Sequence, residues 1–424
     1  MTLNAAEEKI VNTVESLREG MLDFTCRLVA QPSTLGKEIS ALELFAQELR
    51  RLSLSPVRVP LDDPALKRHP GYAPVLWDYA GKYCVAAVRA ADASNGRSAL
   101  FNGHLDVVDP EPIHFWDTDP FVPEIRGGRI YGRGAGDMKS GVAAMVYALY
   151  AVEKAGLGLA APVTIEGVID EECSGNGALA CLNAGYDADA VLIPEPFGPT
   201  ILTAQVGVLW FRIRVKGKPV HVLEAPAGTN AIEKCFPIIQ SLRVLEKRLN
   251  QERVPEEYAD IPHPLNLNIG VFKGGNWPST VAAEAELHGR LSFFPGVGYA
   301  ETCGRIADAV AALVQQDDWL RENPPELSFY GFRSEGHSVA YATPAFATLN
   351  QCHQSLTHQD AAAHIATCTT DLSRFQAYGG GQSTCYGPEG GNFHGANEWV
   401  DMESIVHTAK TYALFLARWC RLVE

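Results

Sequence analysis

Several features that would indicate a nucleic-acid-binding or membrane protein are absent from this chain. Of its 424 residues, 35 are Lys or Arg and 50 are Asp or Glu, which gives a formal net charge of -15. Because phosphate binding needs clustered basic side chains, this balance argues against a nucleic-acid partner. No uninterrupted apolar run approaches the roughly 18 residues that a membrane-spanning helix needs. We therefore expect no membrane partner either.

Secretion signals and paired cysteines are also lacking. Residues 1–8 are polar and acidic, without the basic segment and following apolar segment of a secretory signal. The ten cysteines include no Cys-x-x-Cys pair, and none needs a partner in a reducing compartment. The sequence therefore predicts a cytoplasmic protein.

What the chain does contain is enough apolar sequence for two domains. Hydrophobic residues make up 46% of it and charged residues 20%, as in ordinary globular proteins. Apolar runs at 83–88, 98–101, 163–169 and 190–193 predict buried strands, and 140–154 predicts a helix. Strands that alternate with helices indicate an α/β domain whose mostly parallel sheet is covered on both faces.

The pattern changes after residue 207. The next predicted elements follow the order βαββαβ, which is typical of a ferredoxin-like α+β unit with one sheet face covered. They are strands at 208–215, 265–272, 284–294 and 326–332, and helices at 230–250 and 299–316. The αβ pattern then returns and ends in a helix at 402–422. We predict one domain of residues 1–206 and 334–424, interrupted by an inserted domain of residues 207–333.

Side chains that commonly bind metals follow several of the predicted strands. In an open parallel sheet, ligands bind beyond the carboxyl ends of the strands, at one edge of the sheet. We therefore expect the following candidates to meet at one site: His104, Asp106, Asp137, the paired Glu171 and Glu172, Glu195, and His394 in a late Gly- and Asn-rich loop.

These residue types suit a particular chemistry. Two histidines and three carboxylates are suitable ligands for zinc, or for cobalt or manganese. Five ligands with one bridging carboxylate would suit two ions about 3.5–4 Å apart. If Glu172 binds a metal, its neighbour Glu171 is free to take a proton from water and pass it to a leaving amine. Asp106 could accept a hydrogen bond from the ring of His104 and fix its tautomer.

Each candidate also has a more ordinary interpretation when it is taken alone. His104 could be a hydrogen-bonded structural residue, Glu195 a loop residue between two prolines, and Asp137 a helix cap. The Asp-Glu-Glu run could be a solvated surface. The metal site is favoured because four of the five ligand candidates follow a predicted strand or a strand-to-helix turn of one sheet.

Three of these segments resemble motifs of the M20 metallopeptidase family. The family's H-x-D is similar to residues 104–106, its G-R-G-x-x-D-M-K to residues 132–139, and its D-E-E to residues 170–172. Glu195 and His394 match a further carboxylate and a late histidine of the family. The likeness runs through most of the chain.

The resemblance implies a dinuclear zinc amidohydrolase, with cobalt or manganese as possible substitutes. Asp137 would bridge the two ions, Glu171 would be the general base, and Asp106 would support a ligand. The remaining metal ligands would be His104, Glu172, Glu195 and His394.

The resemblance further implies that the inserted domain is a lid that forms a homodimer and closes over the substrate. His221 lies in a segment similar to a lid motif of the family, and it would reach a neighbouring active site to stabilise an oxyanion. Arg290 would bind a substrate carboxylate through its guanidinium fork, with Asn268 in the same pocket. An exposed position on an alternating strand is an equal alternative for Arg290.

The predicted reaction is hydrolysis of the amide bond of a small N-acyl amino acid, as in a deacetylase. A dipeptidase or carboxypeptidase, and a deformylase that acts on an N-formyl heterocycle, are alternatives on the same site. A ligand-binding protein without turnover is the non-enzymatic alternative. It would have lost a metal ligand or the base, and this chain has a suitable residue at all six positions.

Overall fold

The computed structural model describes residues 2–423. Ten strands form its two main sheets: β1 (Val57–Pro60), β2 (Tyr83–Arg89), β3 (Ala99–His104), β4 (Val163–Val168), β5 (Ala190–Ile193), β6 (Gly207–Lys216), β7 (Leu267–Gly274), β8 (Glu284–Phe293), β9 (Glu326–Ser334) and β10 (Gln382–Cys385). The main helices are α1 (Ala5–Ser16), α2 (Arg18–Val29), α3 (Ile39–Arg51), α4 (Ser140–Lys154), α5 (Asn176–Asn183), α6 (Ala231–Leu249), α7 (Tyr299–Val314), α8 (Pro344–Thr357), α9 (Leu372–Tyr378) and α10 (Met402–Leu416). Shorter helices and strands are Pro64–Arg68, Glu124–Arg126, Arg129–Tyr131, Gly158–Leu159, Ile201–Gln205, Asp318–Glu322, His337–Ser338, Ala363–Ala366, Gly390–Gly391, Trp399–Asp401 and Leu422–Val423.

The central sheet has the strand order β1-β2-β4-β3-β5-β10. Strands β4, β3, β5 and β10 are mutually parallel, whereas β2 runs antiparallel to β4 and pairs antiparallel with the edge strand β1. Adjacent residues of β3 pack against helices on opposite faces of the sheet. Phe101 packs against Tyr412 of α10, and Leu100 belongs to the hydrophobic cluster that contains Phe375 of α9. The mostly parallel sheet with helices on both faces is therefore confirmed.

Helix α4 starts close to the loop that follows β5. Nearly all of its residues are buried, because a run of small and apolar side chains packs into the core on every side. At its first turn, a Cβ atom on Gly141 would lie only 2.2 Å from the Pro194 carbonyl oxygen. Glycine at this position thus allows the start of α4 to approach the loop that carries Glu195.

The inserted segment forms a second, antiparallel sheet with the order β7-β8-β6-β9. Alternate residues of β6, such as Leu209, Phe211 and Ile213, are buried in a separate core with α6 and α7. Both helices pack on this face, and side chains of the other face, such as Trp210 and Tyr330, line a cavity together with residues of the central domain. This is the ferredoxin-like arrangement expected from the order of the elements.

Several element boundaries differ from those predicted, most of them by one or two residues. The last helix ends at Leu416 rather than at residue 422, because residues 417–421 form a wider turn and Leu422–Val423 pairs with Gly158–Leu159. Strand β7 begins two residues later than predicted. None of the helices within residues 2–423 has both the length and the apolar character that a bilayer crossing demands.

Candidate active site

His104 stands at the end of β3, and its side chain is buried. Its Nδ1 atom lies 2.9 Å from the main-chain oxygen of Asp106, while the Asp106 carboxylate is 3.7 Å away. The predicted carboxylate–imidazole hydrogen bond is therefore wrong in detail, because the main-chain carbonyl takes that place. The Asp106 carboxylate instead accepts from the backbone N–H groups of Glu171 and Glu172, at 3.4 and 3.2 Å. Asp106 thus joins the end of β3 to the glutamate pair.

Asp137 lies between the two candidate histidines. One carboxylate oxygen is 3.1 Å from Nε2 of His104, and the other is 3.4 Å from Nε2 of His394. The same His394 nitrogen is 3.0 Å from Glu172. Two ligands that each lie 2.0–2.2 Å from one zinc ion are roughly 3.3–3.5 Å apart in a tetrahedral site. These spacings therefore fit a metal on each side of Asp137.

The backbone around Asp137 is held by a residue that sequence analysis did not identify. Glu398 is fully buried and accepts from the backbone N–H groups of Gly134, Gly136 and Asp137, at 2.9–3.0 Å. It also pairs with the buried guanidinium of Arg133. These bonds fix the glycine-rich turn from which the Asp137 side chain extends. The only signal in the sequence is that Glu398 follows His394 by four residues.

Asp170 holds the backbone next to the glutamate pair, as Glu398 holds the backbone around Asp137. It has a φ of 71°, and its buried carboxylate accepts hydrogen bonds from Trp77, Tyr79 and Ser174. Burial raises the pKa of Asp170 to about 7, although these hydrogen bonds act against that effect. The anchored turn sets the direction in which Glu171 and Glu172 leave the end of β4.

The electrostatics of the cluster favour cations. Burial raises the pKa of Asp106, Glu171 and Glu195 well above the usual range, and the carboxylates around Glu195 raise its pKa further. Burial would also raise the pKa of Asp137, but His104 and His394 outweigh it and lower that pKa. A buried group of carboxylates with only two histidines is short of positive charge, so its donor set suits divalent ions.

The candidate ligands open into a cavity of about 910 Å³ between the two domains. From the central domain it is lined by Asp137, Glu171, Glu172, Glu195 and His394, and from the inserted domain by Trp210, Asn268, His288, Arg290 and Tyr330. Burial lowers the pKa of Arg290. Within residues 2–423, Arg290 forms no ion pair, so its positive charge is free to meet a ligand.

His221 is the one predicted catalytic residue that the fold does not bring to this cavity. It lies on the exposed surface of the inserted domain, where its Nδ1 atom accepts from the backbone N–H of Leu223 at 3.1 Å. It does not line the cavity of its own chain. Any contact between His221 and a substrate therefore requires a second copy of the chain or a large movement of the domain.

Arg374 connects the site to the junction of the inserted domain. Its buried guanidinium donates to the main-chain oxygens of Gly71, Ser174 and Arg333. Ser174 lies two residues after the glutamate pair, and Arg333 lies where β9 returns to the central domain. Arg374 was not identified from the sequence.

Histidine and carboxylate side chains at the carboxyl ends of a parallel sheet, beneath an inserted α+β domain, are the arrangement of a metallohydrolase. Residues 100–418 match peptidase family M20/M25/M40, and the chain belongs to that family. The predicted family is confirmed, and with it the prediction of an enzyme that hydrolyses amide bonds.

Individual relatives act on different amides. The chain is 27% identical over 358 residues to an N-formyl-4-amino-5-aminomethyl-2-methylpyrimidine deformylase from Halalkalibacterium halodurans, covering 80% of this chain and 83% of that protein. It is 28% identical over 337 residues to a succinyl-diaminopimelate desuccinylase from Thioalkalivibrio sulfidiphilus, covering 77% and 84%. The structure of the dipeptidase Dug1p from Saccharomyces cerevisiae shares the fold, with a TM-score of 0.80, 14% identity and 99% coverage of both chains.

Proposed function

We propose that this chain is a dinuclear metal-dependent amidohydrolase, with zinc as the favoured metal, that removes a small acyl group from a small amine. The observation that carries the proposal is the position of Asp137, whose two carboxylate oxygens face two different histidines. The proposed ligands are His104, Asp137, Glu172, Glu195 and His394. Their imidazole and carboxylate donors also suit cobalt or manganese.

The proposed mechanism assigns the proton transfers to Glu171. When loaded, the ligand set supplies a polarised substrate carbonyl and a water molecule of increased acidity. Glu171 lines the cavity and takes one proton from this water as the water oxygen attacks the carbonyl carbon. It then delivers the proton to the leaving nitrogen as the C–N bond breaks, which yields a carboxylic acid and an amine. Asp106 keeps Glu171 in place through its backbone N–H.

Two classes of leaving amine fit the cavity. The guanidinium of Arg290, which forms no ion pair within residues 2–423, has Asn268 opposite it on β7 and suits the carboxylate of an N-acyl amino acid. The aromatic side chains of Trp210 and Tyr330 suit an N-formyl heterocycle, the substrate class named for the relative from Halalkalibacterium halodurans.

A substrate panel with defined metal content tests the proposal. We expect the protein, stripped by a chelator and reloaded with zinc, cobalt or manganese, to bind two ions per chain and to hydrolyse at least one amide of the panel. The panel contains N-formyl, N-acetyl and N-succinyl amino acids, dipeptides and N-formyl aminomethylpyrimidines. The stripped protein is the control and should be inactive. Binding of two ions without turnover of any panel member would contradict the proposal.

We also propose a homodimer formed through the inserted domain. The exposed face of α6 carries Phe236 and Val244, and the edge strand β7 exposes Val271 and Phe272. Exposed apolar groups beside an open strand edge are typical of a surface that another chain covers. Such a dimer could bring the exposed His221 of one chain to the cavity of the other.

Replacing His221 with Ala should lower kcat by about 10²–10³-fold, because a donor to the oxyanion is lost. Metal content should stay unchanged. The matched control is His263→Ala, since His263 is also an exposed histidine of the inserted domain and pairs with Glu246 outside the cavity. Mixing His221→Ala with a Glu171→Gln variant should restore activity in heterodimers. Full activity of His221→Ala alone would exclude the oxyanion role.

The ten cysteines are all unpaired in the structure. A reducing compartment keeps such thiols free, which supports a cytoplasmic location for the enzyme.

A further inference from the structure

Four side chains of the inserted sheet form a row that crosses all four strands. Asn268 of β7 is directly opposite Arg290 of β8, Arg290 is opposite Trp210 of β6, and Trp210 is opposite Tyr330 of β9. Residues directly opposite each other share one face of a sheet. All four line the cavity, so the row forms its upper wall above the metal-ligand candidates. One end of the row is an amide and a guanidinium, and the other is an indole and a phenol.

The phenol end is oriented by a chain of hydrogen bonds along β8. Nε2 of His288 lies 2.7 Å from Glu286, and Nδ1 of His288 contacts the Tyr330 hydroxyl. Arg214 pairs with the other oxygen of Glu286. Hydrogen bonds from Arg214 and then from His288 lower the pKa of Glu286 to about 2, so Glu286 is a carboxylate that can only accept.

These contacts determine which atoms donate. Glu286 can only accept from His288, so the tautomer that fits this contact carries its proton on Nε2 and leaves Nδ1 as an acceptor. In that tautomer the Tyr330 hydroxyl donates to Nδ1. Its oxygen is left with lone pairs for the cavity, so Tyr330 presents an acceptor to a ligand, whereas Arg290 presents donors.

Trp210 supplies a flat surface beside this acceptor. Its ring is contacted by Tyr330 at a centroid distance of 5.7 Å and 65°, and by Phe332 at 5.3 Å and 80°. A Cβ atom on Gly331, which has a φ of 64°, would lie 2.6 Å from the indole, so glycine leaves room for the ring. The two steeply inclined neighbours fix the indole in one orientation, as required for contact with a planar ligand.

We propose that Tyr330, oriented by His288 and Glu286, is a specificity residue that accepts a hydrogen bond from an amino group on a heteroaromatic ring of the substrate. The inference rests on the proposed amidohydrolase function and identifies the class of amine that is released. The ring lies against Trp210, and an acceptor on its other side, such as a ring nitrogen, meets Arg290. If the released amine has no donor at this position, the Tyr330 oxygen has no hydrogen-bond partner in a desolvated cavity, which disfavours that substrate.

Two probe substrates test the inference: an N-formyl aminomethylpyrimidine with a ring amino group beside the aminomethyl group, and the same compound without the ring amino group. We expect the wild-type, metal-loaded enzyme to prefer the amino compound by about 10–100-fold in kcat/KM, the effect of one buried hydrogen bond. In Tyr330→Phe this ratio should fall to about one. The matched control is Tyr299→Phe in the same domain, where the side chain packs on Phe329 outside the cavity and the ratio should not change.

Two variants of Glu286 distinguish the loss of the Tyr330 orientation from a general loss of activity. Glu286→Gln can offer His288 an NH₂ group as well as an oxygen, so it should keep only part of the preference, whereas Glu286→Leu should lose it. An equal effect of Tyr330→Phe on both substrates, or no preference in the wild type, would overturn the inference. If the wild type instead hydrolyses N-acyl amino acids, only the inference fails. If it hydrolyses no amide with both ions bound, the proposed function fails as well.

Discussion

Replacing Glu171 with Gln should reduce kcat by about 10²–10⁴-fold, the usual contribution of a general acid–base group. Glutamine has the same shape as glutamate but cannot carry the proton from water to the leaving nitrogen. Glu171 is 6% exposed and lines the cavity, and one of its oxygens lies 4.0 Å from Nε2 of His104. It is therefore close to the proposed ligands, but it is not part of the group formed by His104, Asp137 and Glu172, whose ligand atoms lie within 4.8 Å of one another.

The control for this variant is its neighbour. Glu172→Gln should lower metal content, because Glu172 lies 3.0 Å from His394 and close to Asp137 and His104. Glu171→Gln should retain two ions per chain by elemental analysis, with KM little changed. Unchanged turnover, or loss of metal from Glu171→Gln, would show that Glu171 is a ligand or a bystander rather than the base.

Replacing Asp137 with Ala should remove both metal content and activity. Asp137 is the only described residue with one oxygen beside each histidine, so its loss leaves His104 and His394 with no shared partner. We expect fewer than two ions per chain and a loss of activity greater than the roughly 10–100-fold that follows loss of an outer-shell partner. Titration of the stripped protein with zinc, followed by calorimetry, measures the change.

Two further variants test whether the loss of metal is specific to the charged carboxylate of Asp137. Asp137→Asn keeps the shape and removes the charge, and it should also bind less metal, because a neutral amide is a poor bridge between two cations. Asp109→Ala should keep both ions, since Asp109 is an exposed aspartate at the cavity whose carboxylate accepts from the backbone N–H of Glu111 in its own loop. Two ions of unchanged affinity in Asp137→Ala would exclude the bridging role.

The fold and the proposed ligands could be predicted because they depend on local patterns. Helix α4 has the predicted bounds, since its small apolar residues form one continuous buried surface. His104 ends a strand of the central sheet, and Glu172 and Glu195 follow two others. Because the carboxyl ends of parallel strands meet at one edge of a sheet, the positions of these residues in the sequence were sufficient to predict that they lie close together.

The residues that hold these ligands could not be predicted in this way. Glu398 is 261 residues from Asp137 in sequence, and no local pattern links the two. Asp170 was noted only as part of an acidic run, although its anchoring depends on Trp77 and Tyr79 far along the chain. The hydrogen bond from His104 to a main-chain oxygen rather than to the Asp106 carboxylate depends on the local course of the backbone. Such contacts are set by tertiary packing.

The three bonds of Arg374 make the position of the inserted domain and the arrangement of the glutamate loop interdependent. Rotation of the domain at Arg333 would remove one acceptor and leave a guanidinium N–H unpaired in a buried position, at a cost of about 1–3 kcal/mol. The backbone N–H of Gly331 also donates to the carbonyl oxygen of Pro74 at 2.7 Å. Pro74 belongs to the segment that contains Trp77 and Tyr79, the partners of Asp170, so this segment is connected to β9 as well. The position of the inserted domain and the geometry of the loop are thus thermodynamically linked. A ligand that stabilises this position of the domain must, by reciprocity, also stabilise the loop that carries Glu171.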